Sequence, residues 1–256
     1  MKIGELRNAL DVAGTLAVSC LSAAAIGMVV PPLPLTLLAT RRTEREERLL
    51  RSHHMLTWAD FVVRRLLRIR LTVVGSEHRP RPSRGHLYVC NHQSYVDIPV
   101  LMSALETAAF LSMRGVSYLP AIGLCAYAGG TIYVDRKDPR SRRRAMRQTL
   151  EMAERSTAMV VFPEGGRSRE AGLKPQIQTG LLRAAYKAGL SLVPVALDGC
   201  RDVVPTANDR IVRGQSVVVE IGAALSPADY DSGRAFAGAA WQRVGEQFLR
   251  CQRARS

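Results

Sequence analysis

From Leu71 onward the sequence alternates short apolar runs, rich in β-branched residues, with longer stretches at helical spacing. This alternation restricts the possible folds more than any other feature of the chain. It predicts an α/β domain over residues 71–256 with a largely parallel sheet and helices on both faces. The predicted strands are LTVVG, HLYVC, TIYVD, AMVVF, LVPVAL and SVVVEIG, and the predicted helices lie near residues 98–109, 140–156, 178–189 and 234–250.

Residues 1–70 have a different character. The segment from Val12 to Thr40 contains no charged residue, and its 29 residues are enough to cross the ~30 Å hydrocarbon of a bilayer as a helix. Prolines within residues 31–34 break the second half, so a helix followed by a bend is expected. Both a single span and a segment that enters the bilayer and returns fit this pattern. A cleavable signal peptide fits less well, because acidic residues offset the basic N-terminus.

The segment MLTWADFVVRRLLRIRL, residues 55–71, has apolar residues at helical spacing with arginines between them, which is typical of a basic amphipathic helix. Such a helix could cover the core of the domain or lie in the lipid headgroup layer, and the preceding apolar segment favours the second. The arginines that follow residue 40 indicate that the downstream chain is cytoplasmic. We therefore predict that residues 1–70 associate with the cytoplasmic face of the inner membrane.

The composition narrows the class of partner. Lys and Arg total 36 against 22 Asp and Glu, a formal net charge of +14, which favours anionic partners. Aromatic residues make up 5% of the chain, which is few for a protein that stacks nucleic-acid bases, so no nucleic-acid partner is expected. The five cysteines are scattered without a CxxC pair, and no HExxH motif is present. We expect neither a metal nor a resident cofactor.

Three segments place polar residues directly after predicted strands. In LYVCNHQSYVDIPV, His92 follows a strand, and Asp97 with Pro99 suits the start of a helix. A tight reversal between them could bring the Asp97 carboxylate to the imidazole and leave its other nitrogen as a base. Simple helix capping by Asp97 is the alternative. Cys90 is better explained as a core residue than as a nucleophile.

The other two segments carry arginine. In AMVVFPEGGRSRE, Gly165 and the glycine after it allow backbone amides to approach an anion, and the Arg167 guanidinium matches phosphate oxygens. Glu164 is unusual in an anion site, and a solvated loop with an internal Glu–Arg pair is the alternative. In GGTIYVDRKDPRSRRRAMR, Arg136 follows a strand, and the stretch from Arg136 to Arg147 contains seven basic residues, both ends included. The later arginines suit a solvated helix face, lipid headgroups or an acidic carrier protein.

Taken in order, NHQSYVD, GGTIYVDR, FPEGGRS and LVPVAL resemble the glycerolipid acyltransferase family of bacterial 1-acyl-glycerol-3-phosphate acyltransferases. The resemblance implies transfer of a fatty acyl group from acyl-CoA or acyl carrier protein to the hydroxyl of lysophosphatidic acid. It implies that His92 is the general base and that Asp97 orients it. Arg136, Glu164, Gly165 and Arg167 look like contacts to the acceptor, and Pro194 matches a structural or acyl-binding position.

Two departures keep other acceptors open. The family commonly has Thr where this chain has Gly166, and a lysine-rich stretch where this chain has SMRGV, with Arg114 as the remaining cation. A lyso-ornithine lipid or another lysophospholipid therefore stays an alternative acceptor. A non-catalytic basic membrane-binding protein is the alternative from a different functional class.

Overall fold

The computed structural model describes residues 55–80, 85–106, 109–118, 130–155, 158–168, 172–205 and 210–255. The predicted membrane segment from Val12 to Thr40 lies outside these residues. Within the described ranges, no helix combines the length and the apolar character needed to cross a bilayer.

Seven strands of the described chain form one sheet, in the order β1-β7-β6-β2-β5-β3-β4. The strands are β1 (Arg70–Val74), β2 (His86–Cys90), β3 (Ala109–Met113), β4 (Ile132–Val134), β5 (Met159–Val161), β6 (Ser191–Asp198) and β7 (Ser216–Ile221). The helices are α1 (residues 55–60, continued by the π-helical turns Phe61–Leu66), α2 (Asp97–Leu105), α3 (Pro139–Glu154), α4 (Gly180–Lys187), α5 (Cys200–Val203) and α6 (Gly233–Arg255). Short 3-10 turns lie at Ser76–His78, Arg114–Tyr118 and Pro227–Asp229.

The sheet is mostly parallel, as predicted. Its neighbouring strands run parallel except β6 and β7, which pair antiparallel with Val195 opposite Ile221. The five strands from β6 to β4 in the sheet order therefore end at the same edge. Ligands of open α/β sheets gather outside such carboxyl ends. We call this the carboxyl edge of the sheet.

Strand β3 corrects the sequence prediction. The helix predicted to reach residue 109 ends at Leu105, because Glu106 adopts a left-handed backbone conformation with φ of 55°. The chain then enters β3, which pairs with β5 and β4. In the sheet, β3 therefore lies between β5 and β4.

Helices cover both faces of the sheet, as the alternation predicts. Tyr88 and Cys90 of β2 face a buried cluster that includes residues of α1, α2 and α5. Leu87 and Val89 face a second cluster that includes residues of α3, α4 and α6. Strand β2 is buried on both faces, which fits its uniformly apolar run better than an alternating pattern would.

Helix α1 packs on this core. Met55, Ala59, Val62 and Val63 of α1 are buried, and the helix contacts α2 and β1. Its apolar side is thus the side that covers the sheet, as the core-covering alternative expects, and its arginines face outward. The division of the chain at residue 70 stays a prediction.

Candidate active site

His92 lies in the turn between β2 and α2, at the carboxyl edge. Its Nδ1 is 2.7 Å from Oδ2 of Asp97, the residue at which α2 begins. The same carboxylate oxygen accepts the backbone N–H groups of Gln93 at 2.6 Å and Ser94 at 2.9 Å. The contact predicted from the sequence is therefore confirmed. The capping alternative is wrong, because the Asp97 side chain bonds back to the turn and not to the first turn of α2.

These bonds determine which imidazole nitrogen is free. Oδ2 of Asp97 already accepts two amide N–H groups, so it acts as an acceptor toward Nδ1, which carries the proton. Nε2 then holds the lone pair. Asp97 is fully buried, whereas the His92 side chain is 17% exposed. The Phe162 ring stacks on the imidazole at 4.3 Å between centroids and fixes its plane.

The side chains of Asn91 and Gln93 anchor the turn that carries His92 to the end of β6. The Asn91 amide group bonds both backbone groups of Leu197 in β6, at 3.0 Å and 2.9 Å. The Gln93 amide donates to Oδ1 of Asp198 at 3.0 Å. All of these groups are buried, so the position of the imidazole is set by the end of β6 as well as by β2.

The loop of residues 163–168, which we call the site loop, follows β5 and docks on the backbone of His92. Oε1 of Glu164 accepts the His92 N–H at 3.0 Å, and the Ser168 N–H donates to the His92 carbonyl at 2.8 Å. Glu164 is buried, and this burial raises the pKa of its carboxyl above the usual value. The His92 N–H and the Lys174 ammonium act in the opposite direction. Glu164 thus bonds the backbone of His92 and is buried, in contrast to the alternative of a solvated loop with an internal Glu–Arg pair.

Two cations hold three successive carbonyl groups of the site loop. Arg136 donates to the Gly165 carbonyl. Lys174 donates to the carbonyls of Glu164 at 3.3 Å and Gly166 at 2.8 Å. A Cβ at Gly166 would lie 3.8 Å from Nη1 of Arg136 and 3.9 Å from Nζ of Lys174. Both cations therefore converge on the Gly166 position.

Arg167 lies on the outer side of the site loop. Its guanidinium carbon is 3.7 Å from the centroid of the Tyr95 ring, and Nη2 donates to the Tyr95 hydroxyl at 2.9 Å. Tyr95 belongs to the same turn as His92 and is 58% exposed. This stacking orients the guanidinium beside the imidazole turn.

A cleft of about 400 Å³ opens beside Arg136, between the ends of β3 and β4. Met113, Arg114 and Tyr118 line one wall, and Val134 and Arg136 line the other. His92 does not line the cleft, but Arg136, which does, bonds the site loop at Gly165. The cleft brings Arg114, which the sequence analysis left outside the site, next to Arg136.

Two further residues of the sequence analysis lie away from the chemistry. Burial raises the pKa of the Cys90 thiol well above its usual range, so the thiolate that a nucleophile needs is disfavoured. Pro194 lies in the middle of β6, opposite Val89, and its carbonyl accepts the Gly222 N–H at 2.8 Å. That location supports a structural role for Pro194.

Three residues of the site were not predicted from the sequence: Lys174, Phe162 and Tyr95. Lys174 lies ten residues beyond Glu164 in an irregular stretch, so neither strand nor helix spacing relates it to the site. Phe162 and Tyr95 are adjacent to recognised motifs, and an aromatic residue next to a candidate base was the available signal. The predicted residues His92, Asp97, Glu164, Gly165 and Arg136 form a connected set in the structure, with Arg167 next to it through Tyr95.

Comparisons with known proteins show which proteins this chain resembles. A 1-acyl-sn-glycerol-3-phosphate acyltransferase of Brassica napus chloroplasts is 30% identical over 171 residues, which are 66% of this chain and 49% of that protein. A lyso-ornithine lipid O-acyltransferase of Pseudomonas aeruginosa is 32% identical over 145 residues, 56% of this chain and 55% of that protein. The chain spans about half the length of the curated relatives that it matches.

A solved structure shares the fold. The crystal structure of the 1-acyl-sn-glycerophosphate acyltransferase PlsC from Thermotoga maritima superposes with a TM-score of 0.74 at 21% identity, covering 93% of this chain and 95% of that one. The family model described as Acyltransferase matches residues 70–198, just over half of the chain and the part that contains His92, Asp97, Arg136 and the site loop. The chain therefore belongs to the acyltransferase family.

Proposed function

We propose that this protein transfers a fatty acyl group from an acyl thioester to the free hydroxyl of lysophosphatidic acid, giving phosphatidic acid. The observation that carries the proposal is the 2.7 Å contact between Nδ1 of His92 and Asp97, at an edge where Arg136 and Arg167 also lie. An oriented base beside fixed cations suits the deprotonation of a hydroxyl on an anionic acceptor.

The transfer is direct. Nε2 of His92 takes the proton of the acceptor hydroxyl while that oxygen attacks the thioester carbonyl. The resulting tetrahedral oxyanion collapses, the C–S bond breaks, and the thiolate leaves with its electron pair. The imidazolium then returns its proton to the thiolate. Asp97 stabilises the imidazolium and keeps Nδ1 as the protonated nitrogen throughout. No acyl-enzyme is required, which agrees with the burial of Cys90.

The acceptor phosphate is assigned to the cations around the site loop. Arg136, Arg167 and Lys174 supply three positive charges against the two carboxylates of Glu164 and Asp97, so the site has an excess of positive charge. Burial lowers the pKa of Arg136 from its usual value, which means that desolvation makes this guanidinium more receptive to an anionic ligand. Arg114, which shares the cleft with Arg136, provides a further donor to phosphate.

A lyso-ornithine lipid is the second candidate acceptor. The relative from Pseudomonas aeruginosa carries that name, and this chain has Gly166 where the family commonly has threonine. The carboxylate of a lyso-ornithine lipid would bind the same cations, Arg136, Arg167 and Lys174. A panel of lysolipids offered with one acyl thioester separates the two acceptors by product mass.

We place the enzyme on the cytoplasmic face of the membrane, held by the apolar segment from Val12 to Thr40. Tyr95, Met113 and Tyr118 expose large apolar surfaces along the carboxyl edge of the sheet. Such side chains suit an active site that receives a lipid from the bilayer interface. The donor is acyl-CoA or acyl carrier protein, and no resident cofactor is needed.

The test is thiol release from palmitoyl-CoA in the presence of lysophosphatidic acid, compared between wild type and His92→Ala. We expect turnover to fall by about 10²–10⁴-fold, the contribution of a positioned general base. The matched control is His78→Ala, which changes a half-exposed imidazole remote from the carboxyl edge and should retain full turnover. Equal turnover by wild type and His92→Ala would overturn the proposed mechanism.

A further inference from the structure

Four exposed arginines form a row along α3. Helical geometry, at 100° per residue, places Arg140, Arg143, Arg144 and Arg147 within ~100° of one another. They lie on the side of α3 opposite its buried residues, Ala145, Thr149 and Ala153. We call these four residues the arginine stripe. The acyltransferase chemistry proposed above does not use it.

The arginine stripe does not stabilise the helix that carries it. Its members stand three or four residues apart, a spacing at which like charges repel one another. Three of them, Arg140, Arg143 and Arg144, also lie in the first two turns of α3, where the helix dipole disfavours cations and where no acidic residue is present. The single capping contact is made by Asp138, whose Oδ1 accepts the Arg140 N–H at 2.8 Å. The stripe therefore lowers the stability of α3, so a role in stabilising this helix does not explain its presence.

Most of the stripe also lacks an internal counter-ion. Arg147 is 3.6 Å from Glu151, whereas the other three arginines make no ion pair with any carboxylate in the described part of the chain. Elsewhere on the surface, Arg250 forms a bidentate pair with Glu220. The charges of the stripe are thus available to an anionic partner.

The arginine stripe begins next to the active site. Arg136, which bonds the site loop, precedes Arg140 by four residues, so their Cα atoms are at most ~14 Å apart. The Asp135 N–H donates to Oγ of Ser141 at 2.9 Å and ties the start of α3 to the end of β4. A partner held on the stripe would therefore sit close to Arg136 and to the site loop that docks on His92.

The stripe fits a protein partner better than a membrane. A helix that lies in the headgroup layer inserts an apolar face, but the apolar face of α3 packs on the sheet. None of the large apolar side chains that the described structure exposes belongs to α3. What α3 offers is a rigid surface of charge alone, the complement of an acidic helix.

We propose that the arginine stripe docks an acidic carrier protein, which presents its acyl thioester to His92. This inference rests on the proposed function, because it requires that His92 uses a thioester donor. The carboxylates of the carrier bind the guanidinium groups, and its flexible thioester arm reaches the active site past Arg136. Electrostatic docking of this kind mainly raises the rate of association and weakens with salt.

The experiment compares two donors with the same acyl group, palmitoyl-acyl carrier protein and palmitoyl-CoA, using the full chain and lysophosphatidic acid. The variant is Arg143→Gln with Arg144→Gln. The matched control, Arg234→Gln with Arg243→Gln on α6, removes the same charge from another exposed surface. For the stripe variant we expect the KM for the carrier donor to rise about tenfold at low salt, and the KM for palmitoyl-CoA to change less than about twofold.

In ~0.5 M salt, where screening shortens the range of surface charge, the difference from wild type should largely vanish. The melting temperature of the stripe variant should equal or exceed that of wild type, since the substitutions relieve repulsion between like charges, and this excludes misfolding as the cause. The control variant should behave as wild type with both donors.

Three results would overturn the docking proposal. They are an equal rise of KM for both donors, a loss of binding to phosphatidylglycerol vesicles that accounts for the lost activity, and wild-type turnover with palmitoyl-CoA but none with the carrier donor. The last result would leave the proposed function standing. Absence of turnover with either donor would overturn both.

Discussion

Gly165 and Gly166 are adjacent in the site loop but differ in their tolerance of a side chain. Gly165 has φ of 69°, and a Cβ there would lie 2.6 Å from Nε2 of Gln178. At Gly166 the nearest atoms to a Cβ are 3.8 Å away, and the backbone is outside the left-handed region. The glycine that the sequence analysis singled out as a departure from the family is therefore the less constrained of the two.

We predict opposite effects of the two alanine substitutions. Gly165→Ala should lower the free energy of unfolding by about 1–3 kcal/mol, because alanine is strained at positive φ. Gly166→Ala should raise it by about 0.4–1 kcal/mol, because alanine restricts the unfolded chain without strain in the folded one. Urea denaturation of both variants measures these changes, and equal destabilisation by the two would contradict the loop geometry.

A second prediction concerns the buried carboxyl of Glu164. Its pKa is raised by burial, so between the ordinary pKa of 4.5 and the raised one the native state binds more protons than the unfolded state. Stability is therefore lost as the pH rises through this range. Glu164→Gln keeps an oxygen that can accept the His92 N–H and removes the buried charge, so it should melt a few degrees above wild type at pH 7.

The advantage of Glu164→Gln should disappear below about pH 4, where Glu164 is protonated in both states. Thermal melts monitored by circular dichroism across this pH range make the comparison. Glu154→Gln is the control, since Glu154 is exposed and loses the same charge. A variant that melts below wild type at pH 7 would contradict a net cost of burying the carboxylate.

At the level of residues, the sequence predicted the contacts of the active site best where the two residues lie close together along the chain. His92 and Asp97 are five residues apart, and the helix-start signals of Asp97 and Pro99 were enough to predict the turn that joins them. The association of Glu164 with the His92 backbone links residues 72 positions apart. Because both residues follow predicted strands, the sequence could suggest that Glu164 and His92 lie at the same edge of the sheet. Their separation along the chain does not predict the hydrogen bond between them.

At the level of elements, two features escaped the sequence. Strand β3 reads AFLSM, which has no β-branched residue and continues the apolar pattern of α2. Its boundary is made by the backbone of Glu106, a residue that rarely adopts positive φ. The antiparallel pairing of β6 with β7 was missed because a buried apolar run such as SVVVEIG does not encode strand direction.

The C-terminal end of α6 is tied to the active-site turn. Arg255 donates to Oδ2 of Asp198 at 2.5 Å and also binds Asp202. The other oxygen of Asp198 accepts the Gln93 side chain, and the Gln93 backbone N–H bonds Asp97. An arginine more than 150 residues away along the chain thus supports the carboxylate that orients His92.

We predict that Arg255→Gln lowers the free energy of unfolding by about 1–3 kcal/mol, because it leaves the buried Asp198 carboxylate with an unsatisfied oxygen. Arg253→Gln is the matched control, since Arg253 is an exposed arginine two residues away on the same helix. The free energy of unfolding of Arg253→Gln should differ from that of wild type by less than about 0.5 kcal/mol. Urea midpoints measure both variants, and indistinguishable midpoints would show that the Arg255 pair adds nothing to stability.

At the level of the whole molecule, the predicted membrane segment, the helix α1 and the α/β sheet follow one another along the chain. The apolar segment from Val12 to Thr40 precedes a helix, α1, whose buried face belongs to the sheet. Since α1 uses its apolar side in the core, membrane attachment should depend on the earlier segment and not on α1. The arginines of α1 would then add electrostatic attraction to anionic lipids at most.

Deletion of residues 1–42 tests this arrangement. We expect the shortened protein to move from the membrane pellet to the supernatant or to aggregates, because it loses its longest charge-free stretch. The α/β domain should keep its cooperative thermal melt, since α1 begins at residue 55 and remains. Arg65→Gln with Arg68→Gln in the full chain, which removes two exposed charges from the α1 region, should stay in the pellet. Quantitative retention of the shortened protein on vesicles, together with release of the double arginine variant, would assign the membrane contact to α1 instead.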